Sequence, residues 1–490
     1  MATEAKSPAD QYKVVGTRPI RHDGFDKVMG KATYGSDINL PGMLYGKVLR
    51  SPHAHAVIKS VDTSKAEAHP DVLAIATSAD LAVLGDELAE LGEETYTALK
   101  YVRDKVLASD KALFRGHPIV AVAATSSHLA EELLSLIDIE YEVLPSVTNV
   151  EDAMKDDAPL LHKTMTTGGI GGGDTSGTNI SNHLELALGD VDKGFEAADK
   201  VYGREFRTKT VHQGYIEPQN GTAWWNPDGS VSVWCSSQGH FGTRDAIAKV
   251  LGLPESRVTI NYMELGGGFG GKHGMYLEPI AAILSKKSGQ PVKMWMTRSE
   301  VMEATGPTSG GTVKVEIGVT SEGKITAGRA VIAFESGAYP GSSMGGAANN
   351  MFSPYNIDNL RVDAYDVVDN KTKTGAYRAP GAPIGAYAVE SVVDEIAADL
   401  GIDPIDFRIM NGAKEGTRRL NGIVNPRVGM LEVAEAVKSH PHYTSPLEGE
   451  NRGRGVAMGF WGNGAGPASA TALVVSDGSV VLTIGTSDVG

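Results

Sequence analysis

The sequence predicts an α+β protein of several domains, the last of them incomplete. Three observations carry that expectation. At 490 residues the chain is too long for one ordinary domain and suits roughly three of about 150 residues. Short strand-like and helix-like segments are mixed along the first 425 residues, and in the second unit they alternate. The last sixty-odd residues, about 426–490, offer one helix and three short strands, too few to bury a core.

In chain order, residues 1–19 are a polar tail and 20–147 a compact α+β unit. Leu44–Leu49 is a strand ended by Ser51-Pro52. The apolar run Ile119–Ala124 is a buried strand, Ser127–Ile137 has helical spacing, and Ile139–Val143 returns to strand. The Gly-, Thr- and Ser-rich stretch 166–182 is a linker or long surface loop. A second unit, 148–425, mixes strands (Ser230–Cys235, Arg257–Tyr262, Pro291–Met296, Gly311–Gly318) with helices (Thr243–Leu251, Tyr276–Ser288, Ala388–Leu400). A third, 426–490, opens with the helix Met430–Ser439, continues as strands Arg454–Phe460, Ala472–Ser476 and Ser479–Ile484, and stops in the loop-like Gly485–Gly490.

Composition excludes several functions. A net charge of −15 disfavours nucleic acid and anionic membrane as partners. No apolar run reaches the roughly 18 residues of a membrane span, and the N-terminus lacks a signal-peptide core, so the expected compartment is the cytoplasm. The single cysteine, Cys235, cannot form an internal disulfide or hold an iron–sulfur cluster, which needs about four thiolates. The 59 glycines far exceed the usual share of about 7%, and they gather in a few loops.

The densest loop is Gly266-Gly267-Gly268-Phe269-Gly270-Gly271-Lys272-His273. It fits G-x-G-x-x-G, but the acidic residue expected about 20 positions on is displaced to Glu300. It also fits G-x-x-x-x-G-K, but His273 stands where a P-loop needs Ser or Thr for magnesium. Five glycines in six positions carry an entropic cost. That cost points to something approaching the backbone closely, with exposed N–H groups forming an anion-binding nest.

Read with its neighbours, the loop resembles the GGGFGGK segment of molybdenum hydroxylases, the xanthine dehydrogenase/aldehyde oxidase family. It lies 28 residues after Gln238, in Ser236-Ser237-Gln238, the place of the family's "TQ" or "SQ" step. Leu251-Gly252-Leu253-Pro254 follows as expected, and Gly375-Ala376-Tyr377-Arg378-Ala379-Pro380-Gly381 resembles the family's active-site loop. Gly30–Tyr34, Arg50–Ala56 and Phe114–Pro118 resemble its N-terminal hammerhead domain. The resemblance implies a hammerhead domain followed by molybdopterin-binding α+β domains, the last incomplete. It further implies a Mo-molybdopterin cofactor, in the cytosine dinucleotide form of bacterial relatives, with 2Fe–2S and FAD groups on partner subunits. The implied reaction hydroxylates an electron-poor carbon of a small-molecule substrate with oxygen from water.

By that resemblance Gln238 donates its amide to the cofactor, Gly268, Phe269 and Gly270 present backbone to it, and Arg378 contacts it through its backbone. Ala379, Pro380 and His273 wall the substrate pocket. His212–Pro218 resembles a segment near the family's site and is assigned structure only. His53 and His55 flank a bend and are not read as a metal pair.

Three departures matter. Ala379 stands where carbon monoxide dehydrogenases carry a copper-binding cysteine, so CO oxidation is not expected. His273 stands where purine-oxidising members have Glu, and Gly345-Gly346-Ala347 where they have Arg, so aldehydes, aromatic substrates or other N-heterocycles fit better than purines. The pterin-binding loop that begins at Gly485–Gly490 continues in the family as Gln-Gly, and the general-base Glu lies far downstream. No catalytic residue is therefore expected in this chain. It is expected to be a truncated subunit, or one half of a split subunit completed by a second chain. A nucleotide-binding protein using Gly266–Lys272 and a catalytically inactive remnant are the competing readings.

Overall fold

The computed structural model describes residues 13–14, 16–91, 94–169, 175–462, 464 and 468–486. Two seven-stranded sheets dominate it. The first runs Val258–Asn261, Val231–Cys235, Asn220–Trp225, Val292–Trp295, Leu44–Arg50, Pro118–Ala124, Ala74–Thr77. Its strands come from both sides of the linker. Leu44 pairs in parallel with Val292, and Tyr45 pairs antiparallel with Ala124. The first two units of the sequence thus share one sheet. Pro118–Ala124 is buried along its whole length, as a continuous run of Ile, Val and Ala requires of a strand covered on both faces.

The second sheet runs Thr175–Ser176, Thr166–Gly169, Ile180–Leu188, Leu360–Val368, Ile325–Gly337, Gly311–Val319, Lys200–Thr208. Helix Ala382–Leu400 covers one face, placing Val389, Val392, Val393 and Ile396 in a core with Val313, Val315 and Ile317. A small third sheet joins Lys111–Ala112, Ala56–Asp62 and Asp138–Val143. No helix among the described residues is long and apolar enough to cross a membrane.

Several expectations are corrected. The stretch 166–182 is not simply a linker: Thr166–Gly169 pairs in parallel with Ile180–Leu188, and Thr175–Ser176 pairs back on it. Residues 170–174 lie outside the described set. Helix Ala382–Leu400 begins six residues before the expected Ala388, because Pro383 belongs to its first turn, where a missing N–H costs nothing. Arg454–Phe460 forms no strand. It runs as irregular chain along the helix Ala382–Leu400, where the Met458 N–H donates to Glu390 Oε2 at 2.7 Å. Strands Ala470–Val474 and Val480–Ile484 make a hairpin exposed on both faces. Residues 487–490, the rest of the loop read as pterin-binding, lie outside the described set.

Candidate functional site

Strands Val231–Cys235 and Val258–Asn261 run parallel, Val231 opposite Val258. Their C-terminal ends therefore release two loops on one edge of the first sheet, the place where open sheets bind ligands. One loop carries Gln238, just before helix His240–Leu251; the other is Gly266–Lys272. Gln238 ties them together. Its Oε1 accepts from the Gly270 N–H at 2.9 Å and the Lys272 N–H at 3.1 Å, and its own backbone N–H donates to Lys272 O at 3.0 Å. A Cβ on Gly268 would lie 2.4 Å from that Oε1, so only glycine fits.

The loop Gly375–Gly381 closes from the opposite side. The Arg378 N–H donates to Phe269 O at 2.9 Å. A Cβ on Gly270 would stand 2.7 Å from Ala376 O. Phe269 (φ 54°), Arg378 (φ 25°) and Ala379 (φ 63°) are three of the four non-glycine residues with positive φ among those described. A left-handed conformation costs an L-residue roughly 1–2 kcal/mol. Three such residues at one junction mark a place where the surroundings hold the backbone against its preference, as ligand sites do. Phe269 is left 47% exposed, which is uncommon for an aromatic beside a packed core.

Lys272 points into the protein interior. Its side chain is fully buried, and its ammonium donates to Glu217 Oε2 at 2.8 Å and lies over the Tyr215 ring at 4.9 Å. Burial pushes this lysine below its ordinary pKa, and Glu217 opposes the shift. The same Glu217 oxygen accepts from the Gly266 N–H at 2.8 Å and from Ser236 Oγ at 2.7 Å. Gln213 Nε2 donates to Gly306 O at 2.9 Å and Ala376 O at 2.7 Å. The segment 212–218 thus braces both loops from beneath, a structural role. A P-loop lysine must reach a phosphate, and this one is committed inside the protein.

The anion nest expected of the loop is also reduced. The N–H groups of Gly266, Gly270 and Lys272 go to Glu217 and Gln238, and that of Gly271 to Gly268 O. Gly267, Gly268 and Phe269 keep the N–H groups not used in these bonds.

Beside this junction lies a cavity of about 960 Å³, lined among others by His273, Gly345, Gly346, Ala376 and Pro380. The two glycines differ. A Cβ on Gly345 would meet nothing within 4 Å, whereas one on Gly346 would lie 2.1 Å from Pro380 O. Asp366 shapes the rim by accepting from the N–H groups of Gly341 (2.8 Å) and Ser342 (2.7 Å) and from the Ser181 hydroxyl. Gln238, Gly268, Phe269, Gly270 and Arg378 are therefore brought to one junction. His273 and Pro380 line the adjoining cavity, whereas Ala379, next to both Arg378 and Pro380 in the chain, is not among the residues that line it. The hairpin end also arrives here: a Cβ on Gly485 would lie 2.6 Å from the ring of Phe241, three residues beyond Gln238. Cys235 is buried in its strand, where burial pushes its thiol up. His55 Nδ1 bonds to Pro145 O at 2.7 Å while His53 packs edge-on against Tyr141, so the two rings face different partners.

Two family models match the chain. One is the molybdopterin cofactor-binding domain, over residues 174–412. The other is the hammerhead domain of aldehyde oxidase and xanthine dehydrogenase, over residues 29–145. The nicotinate dehydrogenase large molybdopterin subunit of Eubacterium barkeri is 32% identical over 432 residues, 87% of this chain and 96% of its own length. The xanthine dehydrogenase molybdenum-binding subunit of Escherichia coli O157:H7 is 29% identical, over 96% of this chain but 63% of its own length. The solved aldehyde oxidoreductase of Desulfovibrio gigas superposes with a TM-score of 0.82 at 23% identity, covering 94% of this chain and 51% of that one. This last likeness bears on the fold alone. The site and the fold thus define a molybdopterin-binding protein. The chain belongs to the molybdenum hydroxylase family, among its molybdopterin-binding large subunits.

Proposed function

We propose that this chain forms the cofactor-facing half of the active site of a molybdenum hydroxylase. Its substrate would be an aldehyde, an N-heterocycle or an aromatic compound, oxidised with oxygen derived from water. The observation that carries the reading is the junction of two strained loops at Gln238. A molybdopterin fits it: Gly268 leaves no Cβ in the cradle, and the Gly267, Gly268 and Phe269 N–H groups are not consumed by the loop's own bonds. Gln238 would hold the group through its side-chain amide, and Gly268, Phe269, Gly270 and Arg378 through backbone. His273, Ala379 and Pro380 would wall the substrate.

When bound, the group would supply the two-electron oxidation of carbon, which protein side chains cannot perform. The chain's own part is placement. Glu217 and Lys272 fix the base of the glycine loop, Gln213 fixes the second loop, and Asp366 fixes the rim that orients a substrate. Such pre-set geometry is worth far more than flexible contact. Electrons would leave through 2Fe–2S and FAD groups on partner subunits, since one buried cysteine cannot hold a cluster that needs about four thiolates. The proposed arrangement is cytoplasmic, with the cytosine dinucleotide form of the cofactor. A second stretch of polypeptide, in this chain's continuation or another chain, would supply the general-base Glu. The boundaries 20–147, 148–425 and 426–490 are the proposed division.

The test is Gln238→Ala in the assembled complex. Turnover should fall at least about a hundredfold, the scale for one oriented polar contact at a reacting centre, with the fold intact. Unchanged turnover would overturn the site assignment.

A further inference from the structure

The cavity next to the junction has a charge pattern unlike the rest of the chain. The protein carries a net charge of −15, yet the charged side chains lining this cavity are Asp86, Lys100, Lys105, Asp366 and Lys373. Each acid is already engaged. Asp86 pairs with Lys100, and Asp366 is held by Ser181, Gly341 and Ser342. Lys373 donates to two backbone carbonyls, Gly341 O and Thr374 O.

Lys105 is different. It is half-buried on helix Leu99–Val106 of the hammerhead region. Its ammonium lies over the face of Tyr276 at 5.5 Å. Among the described residues no carboxylate lies within ion-pair distance of it. Glu278 is buried and accepts from the Tyr276 N–H at 2.7 Å, and burial pushes it toward its neutral form. A partly desolvated ammonium on an aromatic face, without a counter-ion, favours an incoming anion.

Its seat is also close to the chemistry. The Tyr276 hydroxyl accepts from the Gly306 N–H at 3.0 Å. Gly306 in turn presses on the active-site loop, where its Cβ would stand 2.8 Å from Gly375 N. Tyr101, Tyr339 and Trp461 supply aromatic walls to the same cavity.

We propose that Lys105 anchors the carboxylate of an aromatic or heteroaromatic acid, making such acids the preferred substrate class. The inference rests on the proposed function for the meaning of "substrate", and on Lys105 and its surroundings for the charge. Recognition comes from across the domain boundary: the hammerhead region reads the acid group, and the molybdopterin-binding region holds the reacting end.

The test is calorimetric binding of benzoate and of benzamide, rings of equal size that differ in charge, to the full chain with the subunits that accompany it. Benzoate should bind about tenfold tighter or more, and added salt should shrink the gap. Lys105→Met should bring benzoate down to the benzamide affinity and leave benzamide unchanged. Lys105→Arg should keep most of the preference. Equal affinities in the unmodified protein, no binding of either ring, or an undiminished preference in Lys105→Met would each overturn the proposal. Molybdenum is measured on the same samples. Molybdenum present without the preference removes Lys105 alone; the preference without molybdenum removes the proposed function and leaves Lys105 standing.

Discussion

Glu217→Gln is the most informative single change beneath the site. It keeps the shape and removes the charge, leaving the Lys272 ammonium without the one carboxylate bonded to it among the described residues. Lys272 is fully buried and Glu217 nearly so, at 0% and 9% side-chain exposure, so solvent screening does little for either. Removing one partner of such a pair costs about 3–5 kcal/mol. The loss also releases the Gly266 N–H and the Ser236 hydroxyl from a charged acceptor. A pH signature separates this cause from general damage. Burial already lowers the Lys272 pKa, and removing Glu217 lowers it further. The unfolded chain then holds the Lys272 proton more tightly than the folded one. Stability of Glu217→Gln should therefore rise with pH, up to the ordinary lysine value of 10.5. The double variant Glu217→Gln/Lys272→Met should recover most of the loss. The assay is urea unfolding followed by tryptophan fluorescence at pH 7 and at pH 9.5, read as a double-variant cycle. Additive losses, or a Glu217→Gln variant as stable as the parent, would refute the brace. Loss of nucleotide binding in Lys272→Met would revive the P-loop reading.

Three further predictions rest on a buried acid and on the cavity wall. Asp369 is buried, its one side-chain partner among the described residues is the Lys371 ammonium at 3.6 Å, and burial outweighs that pairing to push its pKa up from 3.8 to about 7. Stability from this group is complete below pH 3.8 and lost as pH rises through about 7. The gap, at about 1.4 kcal/mol per tenfold, is worth roughly 4 kcal/mol at most. Asp369→Asn should be more stable than the parent at pH 8 and similar at pH 4, checked by urea midpoints; equal pH dependence in the two proteins would contradict it. Gly345→Arg should fold normally, because a Cβ there meets open space, and should weaken ring binding by filling the cavity. Gly346→Ala should lower the unfolding midpoint, because its Cβ meets Pro380 O at 2.1 Å; the opposite order of stabilities would sink this account of the cavity wall.

The loops at the junction were legible because so many glycines in so few positions signal close backbone approach, whichever ligand motif they are read as. Gly268 faces Gln238, Gly270 faces Ala376, and Gly381 has φ 79° and faces Ser343 O. Close backbone approach is written into the sequence wherever a side chain would collide. Gln213 and Glu217 were not legible as braces, since their partners lie from 19 (Glu217–Ser236) to 163 (Gln213–Ala376) positions away and nothing local distinguishes a bracing carboxylate from a solvated one. Lys105 was invisible for the same reason, as one lysine on a short amphipathic helix. The strands 166–169 and 175–176 were hidden because Gly and Thr read as loop; what makes them strands is an edge of Ile180–Leu188 that needs pairing. Arg454–Phe460 misled in the opposite direction, with strand-like residues that find no partner strand. The sharing of the first sheet between the hammerhead and molybdopterin-binding regions is a pairing of Leu44 with Val292, a long-range fact that no local pattern encodes.

The most direct measurement is the ratio of molybdenum to chain, by mass spectrometry of the metal, in protein purified with its neighbouring subunits. We expect one molybdenum and one pterin for each chain, both falling sharply when Gly268→Ala pushes a Cβ against Gln238. A fully assembled complex without molybdenum, or one whose molybdenum content is unaffected by Gly268→Ala, would contradict the claim that this junction holds the cofactor.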